Sequence, residues 1–279
     1  EEKKYILTIY EKRVNPKDLP FFSDLMTGLN HRNFKCPVPI INKHKETISD
    51  YNGKKLMIVS FLEGKAKQIL TPDDCKQVGV EVAKMHEITK EFTVRRNNNL
   101  SINSWRKLFN SVKDQCVKID KDLPKLIEAN LVDVEKNWPK NLPGGIIHAD
   151  LFSDNIFFHN EKLNGIIDFY FSCNDFYSFE IAICFNALCF DGKKNNLSFN
   201  VTKAKNFING YSSVRKLLDD EKESIKVLSQ GAALRFLLTR VFDALNTVEG
   251  AIVKVKDPLE YLKRLEFHKN SKNYEDYFF

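Results

Sequence analysis

The sequence predicts an α+β protein of two lobes, a small antiparallel sheet at the N-terminal end and a larger, mainly helical remainder. Three observations carry this. Up to Phe61 the apolar residues fall in short β-branched and aromatic runs separated by turn signals. Beyond Gly64 they recur at helical spacing behind N-cap residues. One compact strand-and-turn stretch, 144–170, interrupts the helices. The expected division is a strand-rich lobe over 1–63 and a helical lobe over 64–279, with a linker near 62–65.

The elements follow in order. Tyr5-Ile6-Leu7-Thr8-Ile9-Tyr10, flanked by charges, reads as a strand. Leu19, Phe22, Leu25, Met26 and Leu29 recur every three or four residues and predict a helix over 19–32. Cys36-Pro37-Val38-Pro39 is an extended turn, because each proline disfavours helix at the residue before it. Strands over 47–51 and 55–61 flank Asn52-Gly53, a strong hairpin signal, and Leu62-Glu63-Gly64 breaks the sheet. Thr71-Pro72-Asp73-Asp74 supplies an N-cap, a proline at the first helical position and acids in the first turn. The helix it opens carries Val78, Val82 and Met85 on one face. Further helices are expected over 103–118, 122–137, 178–189, 202–210, 221–246 and 258–265.

Composition removes several classes of function. Apolar residues make up 43% and charged residues 29% of the 279, values that argue against disorder and against a fibrous chain. No apolar run reaches the roughly 18 residues a membrane-spanning helix needs; the richest, 179–190, is interrupted by Glu180 and Asn186. The opening EEKKYILTIYEKR lacks the pattern of a secretory signal. The net charge of +6 comes mostly from lysines scattered among acids, with little of the concentrated Arg-and-aromatic stripe of a nucleic-acid binder. The six cysteines form no C-x-x-C pair and have no histidines at zinc spacing. The expectation is a cytoplasmic protein with reduced thiols, binding neither nucleic acid nor membrane.

The chemistry concentrates in GGIIHADLFSDNIFFHNEKLNGIIDFYF, 144–171. Ile146-Ile147 ends a strand, and His148-Ala149-Asp150 opens an irregular loop that contains Asn155. Ile156-Phe157-Phe158 and Leu163–Ile167 form a hairpin that folds Asp168 back beside Asn155. Two acids and an amide then converge at one end of a small sheet. Asn plus Asp offers hard oxygen ligands suited to Mg²⁺, which keeps its other positions for water and phosphate. Asp150, five residues before the Asn, is placed to accept a proton. A loop of this spacing, H-x-D-L-x-x-x-N with a metal-binding Asp downstream, belongs to phosphoryl transfer. The loop spans 148–155 and the metal-binding segment 166–170.

HADLFSDN followed by GIIDF resembles the aminoglycoside and choline phosphotransferase superfamily, with Phe169-Tyr170 in place of the protein-kinase Phe-Gly. Within it, ILTIYEKRVNPKDLPFFSDLM (6–26), the stretch 146–175, IAICFNALCF (181–190), GAALRFLLTRVFDALNT (231–247) and KDPLEYLKRLEFH (256–268) are similar to the bacterial homoserine kinase family. The resemblance implies a bilobal protein-kinase-like fold and ATP-dependent phosphorylation of L-homoserine on the way to threonine, with Mg²⁺. Carried over, Asp150 is the base, Asn155 and Asp168 hold Mg²⁺, His148 braces the loop, and Ser60, Phe61 and Leu62 meet adenine at the hinge.

Two departures accompany the resemblance. No G-x-G-x-x-G occurs, and family members carry about one more strand pair upstream, so the chain is expected to be incomplete at its start, its sheet lacking the first strands. The position of the phosphate-binding cation falls on Thr8, leaving Lys12 and Arg13 as candidates. For homoserine, the carboxylate calls for the fork of an arginine and the ammonium for an acid. On a helical wheel Arg235, Asn246, Thr239 and Asp243 form a narrow polar stripe beside a broad apolar arc of Leu237, Val241, Leu245, Leu238 and Phe242. Arg235, Thr239 and Asp243 are therefore the expected substrate contacts, joined by Asp175 and Glu180. The competing readings are a kinase of the same fold acting on choline, ethanolamine or an aminoglycoside, and a non-catalytic kinase-like binding module.

Overall fold

Short-range signals set the first sheet. The computed structural model describes residues 3–10, 14–192, 196–246 and 256–278. β1 is Tyr5–Tyr10, a 3-10 turn occupies Pro16–Asp18, α1 is Leu19–His31, β2 is Ile48–Tyr51 and β3 is Lys54–Ser60. The strands form an antiparallel sheet ordered β1-β3-β2, with Leu7 opposite Ile58 and Ser49 opposite Leu56. Asn52 and Gly53 take φ of 49° and 74°, the mirror-image turn whose twist matches its flanking strands. α1 buries Leu19, Phe22, Leu25, Met26 and Leu29, the residues its spacing singles out.

The chain continues with β4 (Lys65–Ala66), α2 (Pro72–Thr89), α3 (Ile102–Val112), α4 (Leu123–Asn137), β5 (Gly144–Ile147), β6 (Ile156–His159), β7 (Lys162–Ile166) and β8 (Cys173–Phe176). Then come α5 (Tyr177–Leu188), β9 (Phe190–Asp191), β10 (Ser198–Phe199), α6 (Val201–Ser212), α7 (Asp219–Glu223), α8 (Ile225–Leu245), α9 (Leu259–Asn270) and α10 (Glu275–Phe278). Thr71 and Asp74 close a full capping box: the Thr71 hydroxyl accepts the Asp74 N–H at 3.2 Å and the Asp74 carboxylate accepts the Thr71 N–H at 2.9 Å.

The first sheet breaks at 62–64 as expected, and the strand that follows, β4, pairs with β6 in a second sheet ordered β4-β6-β7. Two expectations are corrected. The helix expected to reach 118 is α-helical only to Val112 and runs on as a 3-10 turn through Lys118. There the Cys116 thiol bonds the Val112 carbonyl at 3.3 Å and the Ile119 N–H bonds the Cys116 carbonyl. The helix expected over 221–246 is two helices, with Ser224 closing α7 and opening α8.

The lobes at 1–63 and 64–279 divide the chain by secondary-structure content, and its contacts divide it elsewhere. One compact unit is Glu1–Asn97, Gly144–Tyr177 and Asn206–Lys216; the other is Asn98–Pro143, Ser178–Lys205 and Leu217–Phe279. In the first unit α2 and α6 touch backbone to backbone. A Cβ on Gly79 would stand 2.1 Å from the Phe207 carbonyl, and one on Gly210 would stand 2.0 Å from that of Lys76. His86 of α2 packs face to face on Tyr177 at 4.5 Å and shares a 2.8 Å hydrogen bond with the Tyr211 hydroxyl.

In the second unit α3, α4 and α9 all pack on α8, around Trp105, Trp138 and Phe179. A buried polar set fixes its far side. Asn186 donates Nδ2 to the carbonyls of Ala182 and Ser229, so its Oδ1 accepts from His268 Nε2 at 3.1 Å. His268 is therefore neutral with its proton on Nε2, and its Nδ1 accepts from the Tyr277 hydroxyl at 3.1 Å. Burial, then Arg264, pushes the His268 pKa down to about 3.

Candidate active site

The site is built on the hairpin of the first unit. Ile156 pairs with Ile166, and the Ile167 N–H donates to the Asn155 carbonyl at 3.0 Å, which sets Asn155 and Asp168 side by side at one end of the hairpin. Asn155 donates Nδ2 to the Asp150 carbonyl at 2.9 Å. This fixes the loop between Asp150 and Asn155 and leaves Oδ1 as the amide's hard oxygen. His148 is fully buried and spans both halves. Its Nε2 donates to the Ile167 carbonyl at 2.9 Å and its Nδ1 accepts the Asp150 N–H at 3.3 Å, while the ring lies 4.9 Å from Phe169. One imidazole thus ties the residue before Asp168 to Asp150 itself.

At the two acids, Ala149 and Asp168 adopt left-handed backbone, each with φ of 66°. Such positions cost on the order of 1–3 kcal/mol and persist where surrounding bonds hold them. Both lie at turns that aim an acid. Burial raises the Asp168 carboxyl above its ordinary range, the Tyr170 N–H pulls it back, and Asp154 raises it further. A sunken carboxylate beside a second acid favours a cation. Among the described residues no cluster of three His, Cys, Asp or Glu gathers, so a metal here rests on few protein oxygens. That suits a hard divalent ion shared with phosphates and water. The donor set fits.

The other expected residues fall as follows. Thr8 lies half-buried in β1 opposite Met57, and Lys12 and Arg13 lie outside the described residues. The Ser60 and Phe61 N–H groups are bonded to the carbonyls of Val38 and Lys4 at 2.8 and 3.2 Å, and Leu62 is half-buried. Asp175 stands in β8 opposite Gly145, and its carboxylate accepts the Phe176 N–H at 2.8 Å.

Arg235, Thr239, Asp243 and Glu180 belong to the second unit. Arg235 is 2% exposed, with its guanidinium over the Phe236 ring at 4.5 Å. Thr239 turns its hydroxyl to the Phe236 carbonyl at 3.2 Å, Asp243 is half-buried, and Glu180 is fully buried. Phe242, placed in the apolar arc, is 39% exposed, since α8 is nearing its end there. The sequence did not single out Asp154 or the packing of Tyr170 against Tyr10 and Phe22, at 5.1 and 5.6 Å. Tyr170 follows Asp168 by two residues, the one signal available.

Comparison with known proteins shows the family and the fold. The phosphotransferase enzyme family matches residues 1–215. A homoserine kinase from Xanthobacter autotrophicus is 47% identical over 273 residues, covering 98% of this chain and 84% of the relative. One from Mesorhizobium japonicum is 44% identical with the same coverage. Among solved structures, the amicoumacin kinase hAmiN in complex with AMP-PNP, Ca²⁺ and amicoumacin aligns with a TM-score of 0.72 at 13% identity, over 97% of this chain and 83% of its own. A choline kinase from Cryptosporidium parvum aligns at 0.64 and 18% identity, over 95% and 80%. These neighbours show a protein-kinase-like α+β fold. No helix among the described residues is long and apolar enough to cross a membrane.

Proposed function

Since the chain belongs to the phosphotransferase enzyme family and, within it, to the homoserine kinases, we propose that the hairpin carrying Asp150, Asn155 and Asp168 is where it phosphorylates the side-chain hydroxyl of L-homoserine. ATP is the donor and O-phospho-L-homoserine the product, a step of threonine biosynthesis. One observation carries the reading: identity of 47% across 98% of the chain to a homoserine kinase. The three side chains of the hairpin supply the chemistry such an enzyme needs.

Asp150 accepts the hydroxyl proton as the substrate oxygen bonds to the γ-phosphorus and the bond from that phosphorus to the bridging oxygen breaks, releasing ADP. Asn155 Oδ1 and the Asp168 carboxylate hold Mg²⁺, which when bound neutralises charge on the transferring phosphates. His148 keeps base and metal ligand in register through its two ring nitrogens. At the hinge Ser60, Phe61 and Leu62 offer backbone groups to adenine; the Ser60 and Phe61 N–H groups are committed to main-chain partners, so the N–H that serves is that of Leu62. Arg235 takes the homoserine carboxylate and Asp243, with Thr239 and Asp175, the ammonium side, while Glu180, expected beside them, has no exposed surface and takes the structural role of tying the loop down. The cytoplasm suits the reaction, and it keeps six buried thiols reduced.

A panel of L-homoserine, choline, ethanolamine and an aminoglycoside with Mg-ATP, read as ADP release, tests the assignment. Preference for homoserine is expected. Preference for a cationic alcohol moves the substrate, and silence across the panel with ATP still bound leaves a binding module.

A further inference from the structure

We propose that Arg96, a residue outside the catalytic motif, is a positioning residue that fixes the Asp168-bearing turn against the start of α1 and thereby sets the affinity for Mg-ATP. The inference rests on the assignment of Asp168 as a metal ligand.

Arg96 lies in the first unit, on the segment after α2, and its guanidinium makes three kinds of contact at once. Nε pairs with the Asp18 carboxylate at 2.7 Å. Nη1 donates to the main-chain carbonyls of Ser172 at 3.0 Å and Phe171 at 3.4 Å. The plane of the group lies 5.1 Å from the centre of the Phe22 ring. Its own backbone is held as well: the Arg96 N–H donates to Asn174 Oδ1 at 2.9 Å, and its carbonyl accepts the Asn174 N–H at 2.7 Å.

What those partners do makes the contact informative. Asp18 closes the 3-10 turn that leads into α1, and Phe22 lies one turn inside that helix. Phe171 and Ser172 end the tight turn that begins at Asp168, whose left-handed backbone must be held by its surroundings. Tyr170 of the same turn packs edge-on against the Phe22 ring that Arg96 covers. Ser172 reaches the His148 carbonyl at 3.5 Å. The turn is therefore gripped at both ends, by His148 before Asp168 and by Arg96 after it.

The Arg96 and Asp18 side chains are only 15% and 19% exposed, so the pair is partly desolvated and stronger than a surface ion pair. A planar fork that grips a carboxylate with one edge and two carbonyls with another is a task for arginine; a lysine ammonium, a point donor, serves one side only. Residues that orient a metal ligand without touching the metal change metal affinity by about ten- to a hundredfold when removed.

The experiment measures kcat, the Michaelis constants for Mg-ATP and homoserine, and the melting temperature in Arg96→Ala, Arg96→Lys, the exchange Asp18→Arg with Arg96→Asp, and Asp168→Asn. Arg96→Ala is expected to raise the Mg-ATP constant about tenfold or more while the homoserine constant stays within about twofold. Arg96→Lys falls between it and the wild type. The exchange restores the ion pair but leaves no donor for the two carbonyls, so melting temperature returns and Mg-ATP affinity does not.

Wild-type Mg-ATP constants in Arg96→Lys and in the exchange, with only the melting temperature changed, overturn the proposal and leave Arg96 as plain scaffolding. If Arg96→Ala does not fold, the other two variants decide alone. Unaltered Mg-ATP binding in Asp168→Asn overturns the metal-site assignment instead. Weakened binding there beside an unaffected Arg96→Lys overturns this inference only.

Discussion

The hairpin proposed to carry catalysis and helix α8, proposed to carry the substrate contacts, hold their side chains in different ways. In the hairpin, position comes from bonds to the main chain: Asn155 to the Asp150 carbonyl, His148 to the Ile167 carbonyl, and the Asp150 N–H back to His148. On α8 the side chains are set into packed helices. Arg235 is sunk to 2% exposure over the Phe236 ring, and Thr239 spends its hydroxyl on its own helix. A group placed by main-chain bonds keeps its location when its chemistry is altered, so a substitution there changes the rate. A group placed by packing takes its binding strength from shape, so a substitution there changes affinity.

The comparison is broken most easily at Asp150. Asp150→Asn keeps the shape and removes the proton acceptor, so turnover falls by about 10²–10⁴-fold with nucleotide binding largely intact. Retention of more than a tenth of the wild-type rate removes Asp150 from that role. Arg235→Lys probes the other side. Losing the fork costs about 1.5–3 kcal/mol, which raises the homoserine Michaelis constant roughly ten- to a hundredfold and leaves the ATP constant flat. Preference for homoserine over its decarboxylated amino alcohol should vanish with it. If that preference survives in a folded variant, Arg235 is part of the core alone.

The smallest effect concerns the packing that supports α8. Below pH 6.5 the unfolded chain takes up a proton at His268 that the folded chain refuses until about pH 3. Stability therefore falls as pH drops through that window, by about 2 kcal/mol between pH 6.5 and 5 for one such group. Urea midpoints across this range should show a shallower slope in His268→Gln. His86, driven well below its ordinary value by burial and then by Arg215 and Lys90, supplies a similar slope in the first unit, so part of the slope remains. An unchanged slope in the variant means that His268 does not report acid unfolding.

What the sequence made legible shares one property: it is local. The β1 strand, the Asn52-Gly53 turn and the Thr71–Asp74 capping box are each decided by four to six neighbouring residues, and they fold as read. The convergence of Asn155 with Asp168 is legible for the same reason, since a hairpin carries its own register. Illegible were features that need a distant partner. β4 has two residues, too few to show a period, and exists only because β6 is beside it. The left-handed turn at Ala149 falls on a residue with no preference for that conformation, and at Asp168 on one whose modest preference for it does not mark a turn by itself. Arg96 sits in the polar run VRRNNN, where nothing distinguishes it from its neighbour Arg95 until Asp18 and Ser172 arrive.

The contact of α2 with α6 has a consequence for how this protein can diverge. A side chain that obstructs another side chain can be accommodated by shrinking the second. At Gly79 and Gly210 the obstruction is a peptide carbonyl, which every amino acid carries. No replacement elsewhere in the chain makes room there, short of moving a helix. In a library of random variants these two positions should behave as fixed points, intolerant even of alanine and beyond rescue by any second-site change, while the surface of the same helices drifts freely.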